Sequence, residues 1–379
     1  MYPRLISPPK GKSFFLFGPR GTGKSTWIVT EFKADLVIDL LDSETYQTLL
    51  AQPSRLSQFI TGKRPNYVVI DEVQRVPELL NEVHRLIESE RLRFVLTGSS
   101  ARKLKREHAN LLGGRAITLK CFPLTALELG KDFQLINSLR WGHLPSIFSE
   151  SDKRKYLKTY IGTYLREEVL QESRIRNLSA FSRFLEAASF SQGSPLNMSA
   201  VAREVGIDRK VIEDYFTILE DLLIGVRLPV FQKRAKRKRI SHSKFYYFDV
   251  GVFRSLCPQG PLDDTSSLQG IALESLVFQE LRALNEYLEW ECDLFFWHTQ
   301  THEEVDFVLY GSKGFWAIEV KLSQKWRERD LQGLSLFNKE YPEAECYLLY
   351  AGSRRWKVGN IQIIPVEMFL RNPKEFVHA

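Results

Sequence analysis

Gly18-Pro19-Arg20-Gly21-Thr22-Gly23-Lys24-Ser25 matches the pattern G-x-x-x-x-G-K-[ST] at every fixed position. Ser13-Phe14-Phe15-Leu16-Phe17 before it is a short apolar run that reads as a buried strand, and Thr26 to Phe32 after it has helix-like spacing. Strand, glycine loop and helix in that order are the context a phosphate-binding loop requires. Glycines let the backbone turn its N–H groups inward around phosphate oxygens, and the following helix adds its positive end. Gly18 through Thr26 are therefore the candidate nucleotide-binding residues. Lys24 is placed to reach the β and γ phosphates, and Ser25 to offer its hydroxyl to Mg²⁺. The expected ligand is a nucleoside triphosphate, ATP, with Mg²⁺.

The chain has 379 residues, which suggests two or three domains, and 44% of them are apolar, enough for sizeable cores. A formal charge of +7 leans weakly toward a polyanionic partner. The four cysteines form no C-x-x-C pair, which argues against a zinc ribbon or a disulfide framework and fits a reducing compartment. No signal peptide opens the sequence, and no apolar run approaches the roughly 20 residues of a membrane helix. The expectation is a cytoplasmic protein with no membrane partner.

Four further strands follow the loop. Leu36–Leu40 is the first, and a helical stretch from Ser43 to Thr61 follows it. Tyr67-Val68-Val69-Ile70-Asp71-Glu72 is an apolar strand ending in two acids. Such a strand alone is common, but after a matched phosphate loop it reads as the Mg²⁺-binding partner. Asp71 joins the metal shell and Glu72 acts as general base on the attacking water. Pro77–Glu90 has helical apolar spacing. Phe94-Val95-Leu96-Thr97-Gly98-Ser99-Ser100 is a strand with a polar end, where Ser99, with Thr97 or Ser100 behind it, is the candidate γ-phosphate sensor. Ser-Gly is also ordinary turn chemistry. Arg115, before the strand Ala116–Leu119, is either an arginine finger acting on a neighbouring subunit or a partner of a surface acid.

The stretches GPRGTGKST, YVVIDEVQRVPEL, FVLTGSSARKL and GGRAITLKCFPLTALEL resemble those of prokaryotic AAA-type ATPases that carry a C-terminal domain of unknown function. The resemblance continues through GHLPSIF, KYLKTYIGTYLREEV, FYYFDVGV and EVDFVL. It implies an oligomeric ATPase, ring-like and hexameric, with nucleotide bound between subunits.

In the middle of the chain, Asp152 to Glu172 reads as a long connecting helix. Met198 to Lys210 reads as a helix-turn-helix, with Ser199 capping the first helix, Gly206 supplying the turn and Asp208 capping the second. Ile212, Phe216, Leu219 and Leu223 form an apolar stripe on that second helix. Arg209 and Lys210 in its opening turn stand where a recognition helix meets DNA. Strand-like runs at Val226–Phe231 and Phe245–Phe248 flank a cationic stretch in which six of the seven residues from Lys233 to Arg239 are basic. Lys233, Arg234, Lys236, Arg237, Lys238 and Arg239 then form the wing of a winged helix that neutralises phosphates of duplex or branched DNA. A solvated loop, or a helix-turn-helix used for subunit packing, is the alternative.

The last region opens on an amphipathic helix, Gly270–Leu281, with Glu274 near its start. Glu304–Leu309 and Trp316–Lys321 form a hairpin in which Glu319 and Lys321 share one face and Val320 turns to the core. Asp306, Glu319, Lys321 and the helical Glu274 resemble the PD-(D/E)XK nuclease superfamily, although Val305 stands where that pattern has proline. The resemblance implies Mg²⁺ held by Glu274, Asp306 and Glu319, with Lys321 stabilising the transition state. A salt-bridged solvent face is the plain alternative for alternating Glu and Lys. His298, His302, Glu303 and Glu304 do not share a helical face and make no zinc site.

The expected fold is therefore α/β. A P-loop NTPase domain with a parallel sheet and catalytic Glu spans 1–130. A helical connector and winged helix span 131–250, and an α/β PD-(D/E)XK-like domain spans 251–379. The expected activity is ATP hydrolysis by Lys24, Ser25, Asp71 and Glu72, with Ser99 and Arg115 assisting, coupled to DNA binding or remodelling. The rivals are an ATP-regulated, Mg²⁺-dependent nuclease and a signalling or assembly ATPase that acts on a protein partner.

Overall fold

Phe14, Phe15, Leu16 and Phe17 are each 2% exposed or less, which requires protein on both faces of the strand they form. In the computed structural model that strand, β1 (Ser13–Phe17), pairs in parallel with neighbours on both sides. The structure describes residues 2–63, 65–100, 104, 112–165, 175, 177–232, 242–258, 260, 265–300 and 303–377. Met1–Phe122 make the body of one compact unit. Pro123–Arg166, Ile175–Glu220 and Gly225–Ala379 make a second.

The first unit is a five-stranded sheet. With β2 (Leu36–Asp39), β3 (Val68–Asp71), β4 (Phe94–Gly98) and β5 (Ala116–Lys120), the order is β2-β3-β4-β1-β5, all parallel. Val68, Ile70, Phe94 and Leu96 pack with Leu79, Leu80, Val83 and Leu86 of the helix Leu79–Glu90. Near-continuous apolar strands are what a parallel sheet covered on both faces demands. Because β4 lies between β1 and β3, the polar end of β4 is set between the glycine loop and Asp71.

Two helix expectations change here. The stretch Ser43–Thr61 is not one helix. It runs Ser43–Ala51, capped by the Asp42 carboxylate, then turns at Pro53 and resumes as Leu56–Ile60. Proline has no N–H and drives Gln52 out of the helical region, so the helix stops before it. After the glycine loop, Lys24–Trp27 is α-helical, whereas Ile28–Phe32 widens into π geometry and ends at Lys33, whose φ is 51°.

In the second unit, the helices Leu178–Ser189, Met198–Val205 and Arg209–Asp221 gather beside a two-stranded antiparallel sheet, β6 (Gly225–Leu228) and β7 (Lys244–Tyr247). Rings fill the centre. Phe184 meets Phe216 edge-on at 4.8 Å, and Phe216 meets Phe245 at 4.9 Å. Gly206 closes the first turn at φ 73°, and the Asp208 carboxylate accepts from the Lys210 N–H, both as expected. The cap of Met198–Val205 is Asn197, not Ser199: its side chain accepts from the Ala200 N–H at 3.0 Å. Leu223 falls beyond the helix, at φ 60°. The stretch expected as a helix from Asp152 is α-helical over Lys153–Thr159 and π-helical over Tyr160–Leu165; residues 166–174 lie outside the described residues. The expected cationic wing, Lys233 to Arg239, also lies outside them.

The same unit holds a six-stranded mixed sheet, β8 (Cys292–His298), β9 (Glu304–Gly311), β10 (Gly314–Lys321), β11 (Glu345–Tyr350), β12 (Trp356–Val358) and β13 (Ile361–Pro365), in the order β12-β13-β11-β10-β9-β8. Val308 and Ala317, paired across β9 and β10, pack with Leu334 and Phe337 of the helix Gln332–Glu340. Phe307, next along β9 and so on the opposite face, stacks on Phe278 of the helix Thr265–Tyr287 at 5.8 Å. With both faces covered, Asp306 and Glu319 are buried rather than wet. The helix Thr265–Tyr287 is correspondingly not a surface amphipathic helix, since Ala272, Leu273, Leu276, Val277, Phe278 and Leu281 are all at most 1% exposed. Among the described residues no helix is long and apolar enough to cross a membrane.

Candidate nucleotide site and acidic cluster

β1 ends in the glycine loop at the carboxyl edge of the sheet, where open α/β sheets place ligands. Gly21 and Gly23 adopt φ of 82° and 90°, which L-residues with a Cβ rarely adopt, and a Cβ on Gly18 would lie 2.2 Å from the Cys121 carbonyl oxygen. The Lys24 ammonium is 6% exposed and donates to the loop's own carbonyls, Gly18 O at 2.7 Å and Pro19 O at 3.3 Å. Thr22 ties the loop to itself by donating its hydroxyl to Pro19 O at 2.8 Å. Arg20 is exposed.

β3 delivers Asp71 to the same edge. The Ser25 hydroxyl donates to Asp71 Oδ2 at 2.8 Å, so the hydroxyl and carboxylate expected around Mg²⁺ already share one corner. Thr97 at the end of β4 donates its hydroxyl to Asp71 Oδ1 and accepts from the Glu72 N–H at 3.2 Å. Glu72 leaves the strand in the left-handed region, φ 59°. For a residue with a side chain this is uncommon, and such strain concentrates at functional sites.

The polar cluster at this edge differs in detail from the sequence expectation. Ser99 is buried, and its hydroxyl accepts from Gln74 Nε2 at 3.3 Å; the same amide donates to Glu72 Oε2. Gln74 thus links Ser99 and Glu72, the candidate sensor and candidate base, a connection not anticipated from the sequence. Its signal was its place two residues after Glu72, in a turn (Val73–Arg75) that buries it. Thr97 rather than Ser99 touches Asp71. Arg115 pairs with Glu88, both exposed, and its guanidinium holds the Glu88 carboxyl below the usual range.

The second constellation lies on β9, β10 and the helix Thr265–Tyr287. The Val320 N–H donates to Asp306 Oδ2 at 2.8 Å, and the Asp306 N–H to Glu319 Oε2 at 3.2 Å. Lys321 pairs with Glu319 Oε1. Glu274 is brought to the same place, but through residues not anticipated. Lys244 Nζ lies 3.1 Å from Glu274 Oε1 and 3.6 Å from Asp306 Oδ1, and it pairs with Glu304. The Tyr246 hydroxyl donates to Glu274 Oε1 at 2.5 Å. Burial, reinforced by the Asp306 charge, pushes the Glu274 carboxyl up to about 7 and raises Glu319 well above the carboxylate range. Burial opposes the Lys244 charge, yet Glu274, Asp306 and Glu304 outweigh it and raise its pKa. Among the described residues, no group of three His, Cys, Asp or Glu side chains is arranged to hold a metal ion. His298 sits on β8, and His302 lies outside the described residues.

Arg209 and Lys210 open the helix Arg209–Asp221 and are exposed. Lys233, Arg234, Lys236, Arg237, Lys238 and Arg239 lie outside the described residues.

The family model for an AAA domain matches residues 10–130, and two domains of unknown function match residues 132–263 (DUF8612) and 269–369 (DUF4143). An uncharacterized protein of Methanocaldococcus jannaschii is 25% identical over 351 residues, 85% of this chain and 75% of its own. An uncharacterized protein of Haemophilus influenzae is 22% identical over 258 residues, 63% of this chain and 62% of its own. A crystal structure of a Vibrio cholerae protein aligns over 95% of this chain and 96% of its own at 11% identity, with a TM-score of 0.21, a value at which it carries no structural argument. The match over residues 10–130, together with the glycine loop and Asp71, supports an AAA-type P-loop ATPase as the N-terminal region, a family whose members generally bind ATP with Mg²⁺.

Proposed function

We propose that this chain hydrolyses ATP with Mg²⁺ and couples the nucleotide cycle to engagement of duplex or branched DNA. The observation that carries the hydrolytic half is the shared corner of Ser25 and Asp71, with the Lys24 ammonium parked on loop carbonyls nearby. Among the described residues Lys24 is held by neutral carbonyls alone, which it can exchange for phosphate oxygens, a charge-assisted and stronger partner. Ser25 and Asp71 would hold Mg²⁺, which when bound neutralises phosphate charge. Glu72 takes the proton of the attacking water, and Gln74 keeps that carboxylate turned toward Ser99.

Arg115 acts in trans in this reading, across a ring of subunits that the family resemblance implies is hexameric. Its ion pair with Glu88 is exposed, and exposed pairs contribute about 0–1 kcal/mol, so releasing it costs little. DNA engagement rests on the winged-helix reading: Arg209 and Lys210 on an exposed helix start, together with the cationic run Lys233–Arg239.

The test is ATP turnover with and without duplex, branched and single-stranded DNA, for the natural chain and for one with Lys236, Arg237, Lys238 and Arg239 changed to Ala. Stimulation by DNA that the substitutions abolish is the expected result. Turnover indifferent to every DNA overturns the coupling and turns the reading to an ATPase acting on a protein partner.

A further inference from the structure

β7 reads Lys-Phe-Tyr-Tyr, and all four residues are buried, Lys244 at 1% exposure. A buried ammonium needs anions and hydrogen-bond acceptors close by. Lys244 has three carboxylates, from Glu274 on the helix Thr265–Tyr287 and from Glu304 and Asp306 on β9. Its backbone position is not accidental: it is paired with Leu228 on β6 and bridged to Pro195. Strand pairing therefore sets where the ammonium goes. Phe296 presents its ring 5.4 Å away, a further favourable surface for a cation. Two residues on, Tyr246 closes the site by donating to Glu274 and stacking on Phe278 at 4.2 Å.

The remaining carboxylate oxygens are largely spoken for. Asp306 Oδ2 accepts from the Val320 N–H, Glu319 Oε2 from the Asp306 N–H, and Glu319 Oε1 from Lys321. A divalent ion shared by Glu274, Asp306 and Glu319, as the nuclease resemblance implies, would lie at ion-pair range from the Lys244 ammonium, where like charges repel strongly in a buried setting. The residues present do not fit that metal.

We infer that Lys244 is the resident cation of this cluster, and that the cluster is a charge-paired anchor joining the β6–β7 hairpin to the C-terminal sheet rather than a metal-dependent hydrolytic centre. Of the nuclease-like pattern, Asp306 faces Lys244, while Glu319 pairs with Lys321 and accepts from the Asp306 N–H. The inference does not depend on the ATPase reading, since none of these residues belongs to the nucleotide site.

Mn²⁺ binding to the full-length, nucleotide-free chain, followed by electron paramagnetic resonance, tests this directly. The natural chain and its Asp306→Asn variant are expected to bind Mn²⁺ alike, and neither nicks supercoiled DNA in Mg²⁺ or Mn²⁺. Lys244→Met is expected to melt lower in EDTA, to gain one Mn²⁺ per chain, and to recover melting temperature when Mn²⁺ is added. A second substitution, Asp306→Asn, should remove that gain. Stoichiometric Mn²⁺ on the natural chain that Asp306→Asn abolishes overturns the inference, as does a folded Lys244→Met that gains no metal. Should Lys244→Met fail to fold, the comparison of the natural chain with Asp306→Asn still decides. ATP turnover measured on each chain keeps failure of the ATPase reading separate, because loss of turnover by the natural chain leaves the Mn²⁺ result standing.

Discussion

Lys24 and Lys244 are both buried, at 6% and 1% exposure, yet they are held in opposite ways. Lys24 rests on two backbone carbonyls of its own glycine loop, and among the described residues no carboxylate lies within ion-pair distance. Lys244 is surrounded by Glu274, Glu304 and Asp306. A carbonyl is a neutral partner that a phosphate displaces readily, whereas three carboxylates in a low-dielectric setting bind the ammonium tightly and leave nothing to exchange. The first lysine is poised for a ligand that arrives; the second is already satisfied. What a buried lysine does follows from the charge of its neighbours rather than from its burial.

Substitution at the nucleotide site should be the most damaging to activity and among the least damaging to the fold. Glu72→Gln is expected to retain ATP, read by equilibrium binding, while turnover falls about 10²–10⁴-fold, the range for loss of a general base. Lys24→Ala should lose ATP binding itself with little change in melting temperature. Normal turnover in Glu72→Gln would remove that residue as the base. The Lys244 side of the contrast appears in stability instead: Lys244→Ala leaves the buried Asp306 and the half-buried Glu274 and Glu304 without their shared cation and should cost about 3–5 kcal/mol in denaturant unfolding. A cost below about 1 kcal/mol would mean the socket is not a structural element.

Gln74→Ala sharpens the nucleotide side further. Losing one hydrogen bond to Glu72, about 1–1.5 kcal/mol, should lower kcat roughly tenfold with KM unchanged. An equal loss through KM would show that Gln74 serves binding and not the base. The smallest effects belong to Arg209 and Lys210. Each change to Ala should weaken duplex binding across sequences and reduce the log–log salt slope by about 1, measured by titration at several salt concentrations.

Much of the nucleotide site was legible because its chemistry is local. Eight consecutive residues make the loop, and Asp71 and Glu72 sit at the end of an apolar strand, where period and polarity break together. Gln74 escaped because a glutamine in a short turn carries no pattern; only the turn Val73–Arg75 brings its amide to Glu72 and Ser99. From the sequence Ser99 stands first as sensor, with Thr97 behind it. β4 ends at Gly98, so Thr97 stays in the strand and meets Asp71, whereas Ser99 lies beyond it and meets Gln74. At the other site, strand alternation puts Glu319 and Lys321 on one face, Asp306 comes from the resemblance, and the two strands pair as the antiparallel hairpin expected. Lys244, just ahead of the run Phe245–Phe248, carries no assignment in the sequence. A lone cation opening a strand of aromatic residues was the available signal.

The sequence by itself determined the phosphate loop, the acids that answer it, the apolar strands of a parallel sheet and the capped turn at Gly206 and Asp208. Each depends on backbone geometry or periodicity within a few residues. Tertiary structure alone decided the strand order that sets β4 between the loop and Asp71, and the burial of the helix Thr265–Tyr287 on several sides. It alone also decided the meeting of Lys244 with carboxylates 30, 60 and 62 positions away along the chain. Such pairings are fixed by which surfaces pack together, and electrostatic partners separated by whole elements leave no period in the sequence from which to read them.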